Sequence, residues 1–170
     1  MEQLKEPLVP QKVPNRPWSK VGVDLFTLDK AKYIIIVDDY SNFFEIRAVS
    51  DTRYSEVIAS LKSQFAIHGI SNIVRCDNGP QFSSDFKMFS KEWDFEHITS
   101  SPHHVRSNGK IEKAVNTATR IHKKAKFDRK DPYLALLDWR NAPTDGLDSS
   151  PVQKLMGRGP GLSSQLQQDY

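Results

Sequence analysis

The chain of 170 residues has a single cysteine, Cys76, so it can hold no internal disulfide and no thiolate zinc cluster. Five histidines beside that one cysteine also cannot make a standard zinc-finger spacing. Long apolar runs are missing too: none exceeds the length of Tyr33 to Val37, far short of a membrane span, and Met1 to Lys5 lacks the apolar core of a signal peptide. These absences set the expectation of a soluble intracellular chain in a reducing compartment, without a membrane partner. Net charge is small as well. Lys+Arg number 24 against 21 Asp+Glu, a formal +3 that as a sum points to no polyanion.

The distribution of charge says more than the sum. From His103 to Lys130 there are nine basic residues and two acidic ones, a local +7, so the remainder carries −4. That split suggests one face for a polyanion and another that is indifferent or acidic. At 38% hydrophobic and 10% aromatic the chain is no disordered polyelectrolyte, and its length suits one domain with a core of its own.

Four of the ten prolines (Pro7, Pro10, Pro14, Pro17) fall in the first seventeen residues, which read as an extended lead-in, 1–17. From Trp18 the pattern alternates, with Val21, Val23 and Leu25 on one side and Gly22, Asp24 and Phe26 on the other. A polar turn at 28–31 leads to Tyr33-Ile34-Ile35-Ile36-Val37, apolar on both faces and therefore central in its sheet, and Phe43 to Val49 completes an antiparallel meander. Helical spacing follows, with Tyr54, Val57, Ile58, Leu61, Phe65 and Ile67 on one face, Thr52 as N-cap and His68-Gly69 as the stop. Ile73 to Cys76 is a short strand, parallel to its neighbour because a helix precedes it. Asp85 to Trp93 is a helix and Phe95 to Thr99 the last strand. After a polar stretch, 100–108, a long amphipathic helix starts near Gly109 with Ile111, Ala114, Val115, Ala118, Ile121, His122 and Ala125 inward, and Tyr133 to Trp139 adds another. The order βββ-α-β-α-β-α-α predicts a mixed α/β sheet with helices on its faces, in a core of 18–157 followed by a tail, 158–170.

Three carboxylates stand out. Asp24 lies within a strand between Val23 and Leu25, where an ionised side chain is costly without something positive beside it. Asp77 ends a short strand and opens the turn Asp77-Asn78-Gly79-Pro80, and strand C-termini are where α/β sheets place ligands. Glu112 starts the basic helix, next to Ile111 on the border of the buried stripe. Carboxylates from a strand centre, a strand end and a helix start form the oxygen donor set that a hard cation such as Mg²⁺ requires. Singly, Asp77 also fits an ordinary turn and Glu112 a first-turn residue favoured by the helix dipole. Asp38 and Asp39 fit a turn after the central strand, and Cys76 fits a small core residue with no base signalled nearby. His103 and His104 fit DNA contact and idle solvent exposure equally.

Taken together, the residues carry a family likeness. Arg16-Pro17-Trp18 through Val23-Asp24-Leu25-Phe26, Val37-Asp38-Asp39-Tyr40-Ser41, Cys76-Asp77-Asn78-Gly79-Pro80-Gln81-Phe82-Ser83 and Ser107-Asn108-Gly109-Lys110-Ile111-Glu112-Lys113 closely resemble the integrase catalytic core of Gypsy-type LTR retrotransposons and retroviruses. The likeness runs on through Asp131-Pro132-Tyr133, Trp139-Arg140-Asn141-Ala142-Pro143 and Ser150-Pro151 to Arg158. Two departures stand beside it. Asp77 and Glu112 are separated by 34 residues, one fewer than is usual in the family, and Val105-Arg106 replaces the family's Pro-Gln.

The resemblance implies an RNase H-like fold built on a mixed five-stranded sheet, and DNA 3′-end processing and strand transfer as the activity. It implies Asp24, Asp77 and Glu112 as catalytic residues and as ligands of two Mg²⁺ ions about 3.5–4 Å apart, with Mn²⁺ as substitute. DNA would be gripped by Lys110, Lys113, Arg106, Asn108, Arg120 and Lys124 through phosphates, which position a duplex without reading it. A homodimer or higher multimer, a nuclear location with passage through the cytoplasm, and a chromatin-tethering host protein are the further expectations. Two other readings share these residues: a domesticated module that binds DNA or protein without catalysis, and an RNase H-type nuclease. The intact triad argues against the first and the short Asp77–Glu112 spacing with the altered loop argues for it, while the Asp-Asn-Gly and Ser-Asn-Gly blocks argue against the second.

Overall fold

The computed structural model describes residues 14–50, 54–76, 84–99, 109–144 and 148–157. Strands β1 (Lys20–Leu28), β2 (Ala31–Asp38) and β3 (Phe44–Val49) form the expected antiparallel meander. Its first turn is only Asp29-Lys30, both in the left-handed region, so Leu28 and Ala31 belong to the strands. Helix α1 (Tyr54–His68) crosses to β4 (Ile73–Cys76), which pairs parallel with β1, and α2 (Ser84–Glu92) leads to β5 (Glu96–Thr99), parallel to β4. The sheet order is β3-β2-β1-β4-β5. Helices α3 (Gly109–Phe127) and α4 (Pro132–Asn141) follow, then a short α5 (Pro151–Leu155) that extends the expected order by one element. Its start is fixed by a capping box between Ser150 and Gln153, with Pro151 in the first turn.

The strand alternation sorts two cores. Val21, Val23, Ile34, Ile36, Val74 and Cys76 face α1 and α2, where Val57, Leu61, Phe65, Phe86 and Phe89 fill the layer. On the opposite face Ile35, Val37 and Phe44 meet Ile111, Ala114 and Ala118 of α3. The run Ile34–Val37 is buried throughout because both faces of β2 are covered, as its unbroken apolarity demands. Gly22 is where α3 comes closest to β1. A Cβ there would lie 2.6 Å from Ile111 Cδ1, so only glycine admits this approach.

One packing expectation fails. Ile67 is 68% exposed, because it lies two residues past Phe65 and so on the far side of α1. His68 takes the inward position instead, its ring 4.4 Å from that of Trp18. Trp18 holds an unusual left-handed backbone (φ 61°), fixed by its N–H to Asp38 Oδ1 at 2.9 Å and its indole N–H to the Gly69 carbonyl at 2.9 Å. Among the described residues no helix is long and apolar enough to cross a membrane. The expected N-cap Thr52, the lead-in up to residue 13, the stretch 100–108 and the tail 158–170 lie outside the described residues.

Candidate active site

Asp24 occupies the middle of β1, opposite Ile35 of β2, and its side chain is half-buried. By alternation it shares a face with Gly22 and Phe26, the face on which α3 packs. Its Oδ1 accepts the N–H of Leu25 at 2.8 Å, which fixes one lobe of the carboxylate against the strand. Glu112 stands in the first turn of α3, one residue from Ile111, which seals the helix onto Gly22. It is exposed, further from the buried stripe than its neighbour's burial suggested. Asp77 lies outside the described residues. It follows directly on Cys76, which is paired with Val23 in the parallel β1–β4 register, so the chain leaves β4 one register position from Asp24.

Among the described residues no three His, Cys, Asp or Glu side chains gather closely enough to hold a metal ion. The donor chemistry nevertheless suits a hard cation: Asp24 and Glu112 are oxygen donors on rigid elements on the same side of the sheet, and no thiolate or imidazole stands with them in the expected ligand set.

A buried polar network underlies this face, and little in the sequence discloses it. Arg75, 3% exposed in β4, donates from Nη1 and Nη2 to the two carboxylate oxygens of Asp39, each at 3.3 Å. Lys110 Nζ donates to the Asp39 carbonyl oxygen. Burial pushes the Asp39 carboxyl above its ordinary range, against the pull of Arg75, Lys110 and Lys20, and burial also holds the Lys110 ammonium below the usual lysine range. Asp39 therefore is the carboxylate of a buried ion pair, where a turn role was expected. Asp38 does play the turn role: its carboxylate accepts from the backbone of Trp18, Tyr40 and Ser41 and from the Ser41 hydroxyl. An arginine inside a four-residue buried strand is the one signal that could have disclosed the pair, since a buried cation needs a carboxylate.

Two further expectations change. Cys76 does have a basic neighbour, His97, whose Nε2 lies 2.6 Å from its sulfur. Cys76 itself is fully buried, and burial lowers the pKa of His97. Lys110, expected to reach out to DNA, is half-buried and engaged with Asp39. Lys113, Arg120 and Lys124 are exposed along α3 as the helical spacing required, whereas Arg106, Asn108, His103 and His104 lie outside the described residues. A groove of about 460 Å³ between the β2–β3 face and α3–α4, lined by Tyr33, Phe44, Ile46, Ile121 and Leu136 among the described residues, contains neither Asp24 nor Glu112.

A meander extended by two parallel strands in the order β3-β2-β1-β4-β5, with helices on both faces and carboxylates on β1 and at the start of α3, defines an RNase H-like fold of the retroviral integrase type. The integrase core domain family model matches residues 14–105, more than half of the chain, and the chain belongs to that family of polynucleotidyl transferases. The match takes in Asp24 and Asp77 and ends before Glu112.

Among curated proteins the chain is similar to the uncharacterised protein K02A2.6 of Caenorhabditis elegans (29% identity over 159 residues, 89% of this chain and 12% of that protein). It is also similar to the retrovirus-related Pol polyprotein of the Drosophila melanogaster transposon gypsy (24% over 128 residues, 74% of this chain and 12% of that one). The chain thus spans about an eighth of the length of these relatives. Solved structures with the same fold include the simian T-cell lymphotropic virus intasome in complex with the PP2A regulatory subunit B56 gamma (TM-score 0.74, 19% identity, 95% of this chain and 61% of that one). The catalytic core domain of BIV integrase has a TM-score of 0.70 at 17% identity, covering 88% of this chain and 98% of its own. The HTLV-2 integrase catalytic core in complex with magnesium, in a trimeric form, has 0.67 at 18%, covering 82% and 97%.

Proposed function

We propose that the chain is the catalytic core of an integrase that processes DNA 3′ ends and joins them to target DNA. The observation that carries this is the placement of Asp24 and the first turn of α3 on one face of the sheet, held together by Ile111 against Gly22. Asp24, Asp77 and Glu112 would be the ligands of a divalent metal, Mg²⁺ or Mn²⁺. When bound, a metal pair of this kind activates the attacking oxygen and stabilises the leaving one. The residues' own part is to present acidic oxygens in fixed positions: Asp24 through the Leu25 N–H, Glu112 through the helix that Ile111 anchors. No protein nucleophile is needed, which suits the burial of Cys76.

The exposed cations of α3 would hold the phosphate backbone beside this site. Lys113, Arg120 and Lys124 recur at intervals of seven and four, so they lie along one side of the helix. Likeness to an intasome in complex with a host protein and to a trimeric core supports a multimer working on DNA. A nuclear location and a host protein as chromatin tether complete the proposal.

The test is strand transfer and disintegration on short DNA duplexes in Mg²⁺ and in Mn²⁺, with Glu112→Gln as control. Activity in the parent that is lost in Glu112→Gln supports the reading. A parent no more active than Glu112→Gln under both metals leaves a module that binds without catalysis. Cleavage confined to the RNA strand of a hybrid would instead make it a ribonuclease H.

A further inference from the structure

Two of the proposed ligands stand on β1 and α3, the third follows the last residue of β4 in sequence, and one residue is tied to all three elements. The Asp39 N–H donates to the Lys20 carbonyl of β1 at 3.0 Å, four residues before Asp24. The Asp39 carboxylate holds Arg75 of β4, two residues before Asp77. The Asp39 carbonyl accepts from Lys110 of α3, two residues before Glu112. We propose that Asp39 is a positioning residue of the metal site, clamping β1, the exit of β4 and the start of α3 through Lys20, Arg75 and Lys110.

The proposal rests on the reading of Asp24, Asp77 and Glu112 as ligands of one metal site. Its physical argument is geometric. Ligands contributed by different elements share a cation only when those elements keep their spacing to within a fraction of an ångström, and groups behind the ligands supply that constraint. Among the described residues Asp39 is the carboxylate that Arg75 pairs with: Arg75 lies opposite Gly22 in the sheet, its Nη2 stands 3.1 Å from where a Gly22 Cβ would be, and its buried Nε has no acceptor among those residues. Without Asp39 its charge would be buried uncompensated. Lys110 could extend into solvent, as lysines do, yet it turns back onto a backbone carbonyl. A fold-stabilising ion pair needs no such third arm, and buried pairs in general add little net stability.

The whole chain is titrated calorimetrically with Mg²⁺ alone, without DNA, as wild type, Lys110→Met, Lys110→Arg, Asp39→Asn and Glu112→Gln, and amide exchange is followed along α3. Removing the Lys110 charge should by Coulomb attraction alone tighten the binding of a dication. The clamp requires the reverse: Mg²⁺ binding about tenfold weaker in Lys110→Met, recovered in Lys110→Arg, which can still donate to the carbonyl. Exchange should rise in residues 110–114 and stay unchanged in 119–125. Asp39→Asn should act in the same direction, and if it does not fold, Lys110→Met decides. Mg²⁺ binding in Lys110→Met equal to or tighter than wild type, while Glu112→Gln binds more weakly, overturns the clamp alone. Binding that is equally absent in wild type and Glu112→Gln overturns the metal-site reading, and the clamp falls with it.

Discussion

Ile111 closes over Gly22 so tightly that its Cδ1 and Cγ1 lie 2.6 and 2.7 Å from where a Cβ on residue 22 would stand. Real carbon atoms do not approach so closely, so Gly22→Ala must displace either the Ile111 side chain, itself buried, or the start of α3. The substitution should cost about 1–3 kcal/mol in urea unfolding. Because the cost arises in one contact, Gly22→Ala combined with Ile111→Ala should be less destabilising than the two single changes added together. Strict additivity in that double-mutant cycle would show that α3 is not seated on Gly22.

The exposed row on α3 predicts a salt-dependent DNA affinity. Replacing Lys113, Arg120 and Lys124 by glutamine should weaken duplex binding and lower the slope of log affinity against log salt by roughly 0.9 for each phosphate left without its cation. Lys91, exposed on α2 across the sheet, is the control, and Lys91→Gln should leave both quantities unchanged. An unchanged slope in the triple variant would place the DNA elsewhere.

Phe86 is fully buried in α2, its ring centroid 4.5 Å from that of His97, 5.7 Å from Phe89 and 6.1 Å from Phe95. Truncation to alanine leaves a cavity that these rings cannot fill without giving up their own edge-to-face arrangement. Phe86→Ala should therefore cost about 3–5 kcal/mol, read as a fall in the denaturation midpoint. A loss below about 1 kcal/mol would mean that the cluster collapses into the space.

What the sequence discloses depends on whether a signal is local. The alternation through Gly22, Asp24 and Phe26 puts Asp24 on the side where α3 packs, because a strand's two faces are written in its own residues. Continuous apolarity places Ile34–Val37 in an interior strand covered on both faces for the same reason, although the middle strand of the five is β1. The Asp39–Arg75 pair and the approach of His97 to Cys76 join residues 36 and 21 positions apart, which only the assembled sheet brings together. Family likeness singles out Asp24 and Glu112, whereas their shared face follows from packing. Ile67 misleads at a helix end, where an apolar residue one step off the stripe is easily counted into it.

His68 gives the fold a pH dependence. Its ring lies 4.4 Å from that of Trp18 and 6.1 Å from that of Phe43, and its Nε2 is buried with no partner among the described residues. Burial lowers its pKa below the ordinary 6.5, and Arg140 lowers it further, while Glu45 and Asp38 oppose the shift. Below pH 6.5 the unfolded chain takes up a proton that the folded chain resists, so stability is full above that pH and is lost as pH falls through the folded-state pKa. Urea midpoints should therefore drop between about pH 7.5 and about pH 5.5. His68→Phe should flatten this dependence without abolishing it, because burial also lowers the pKa of His97. A pH dependence in His68→Phe as steep as in the parent would mean that His68 titrates freely at the end of α1, and that the Trp18 and Phe43 rings do not enclose it.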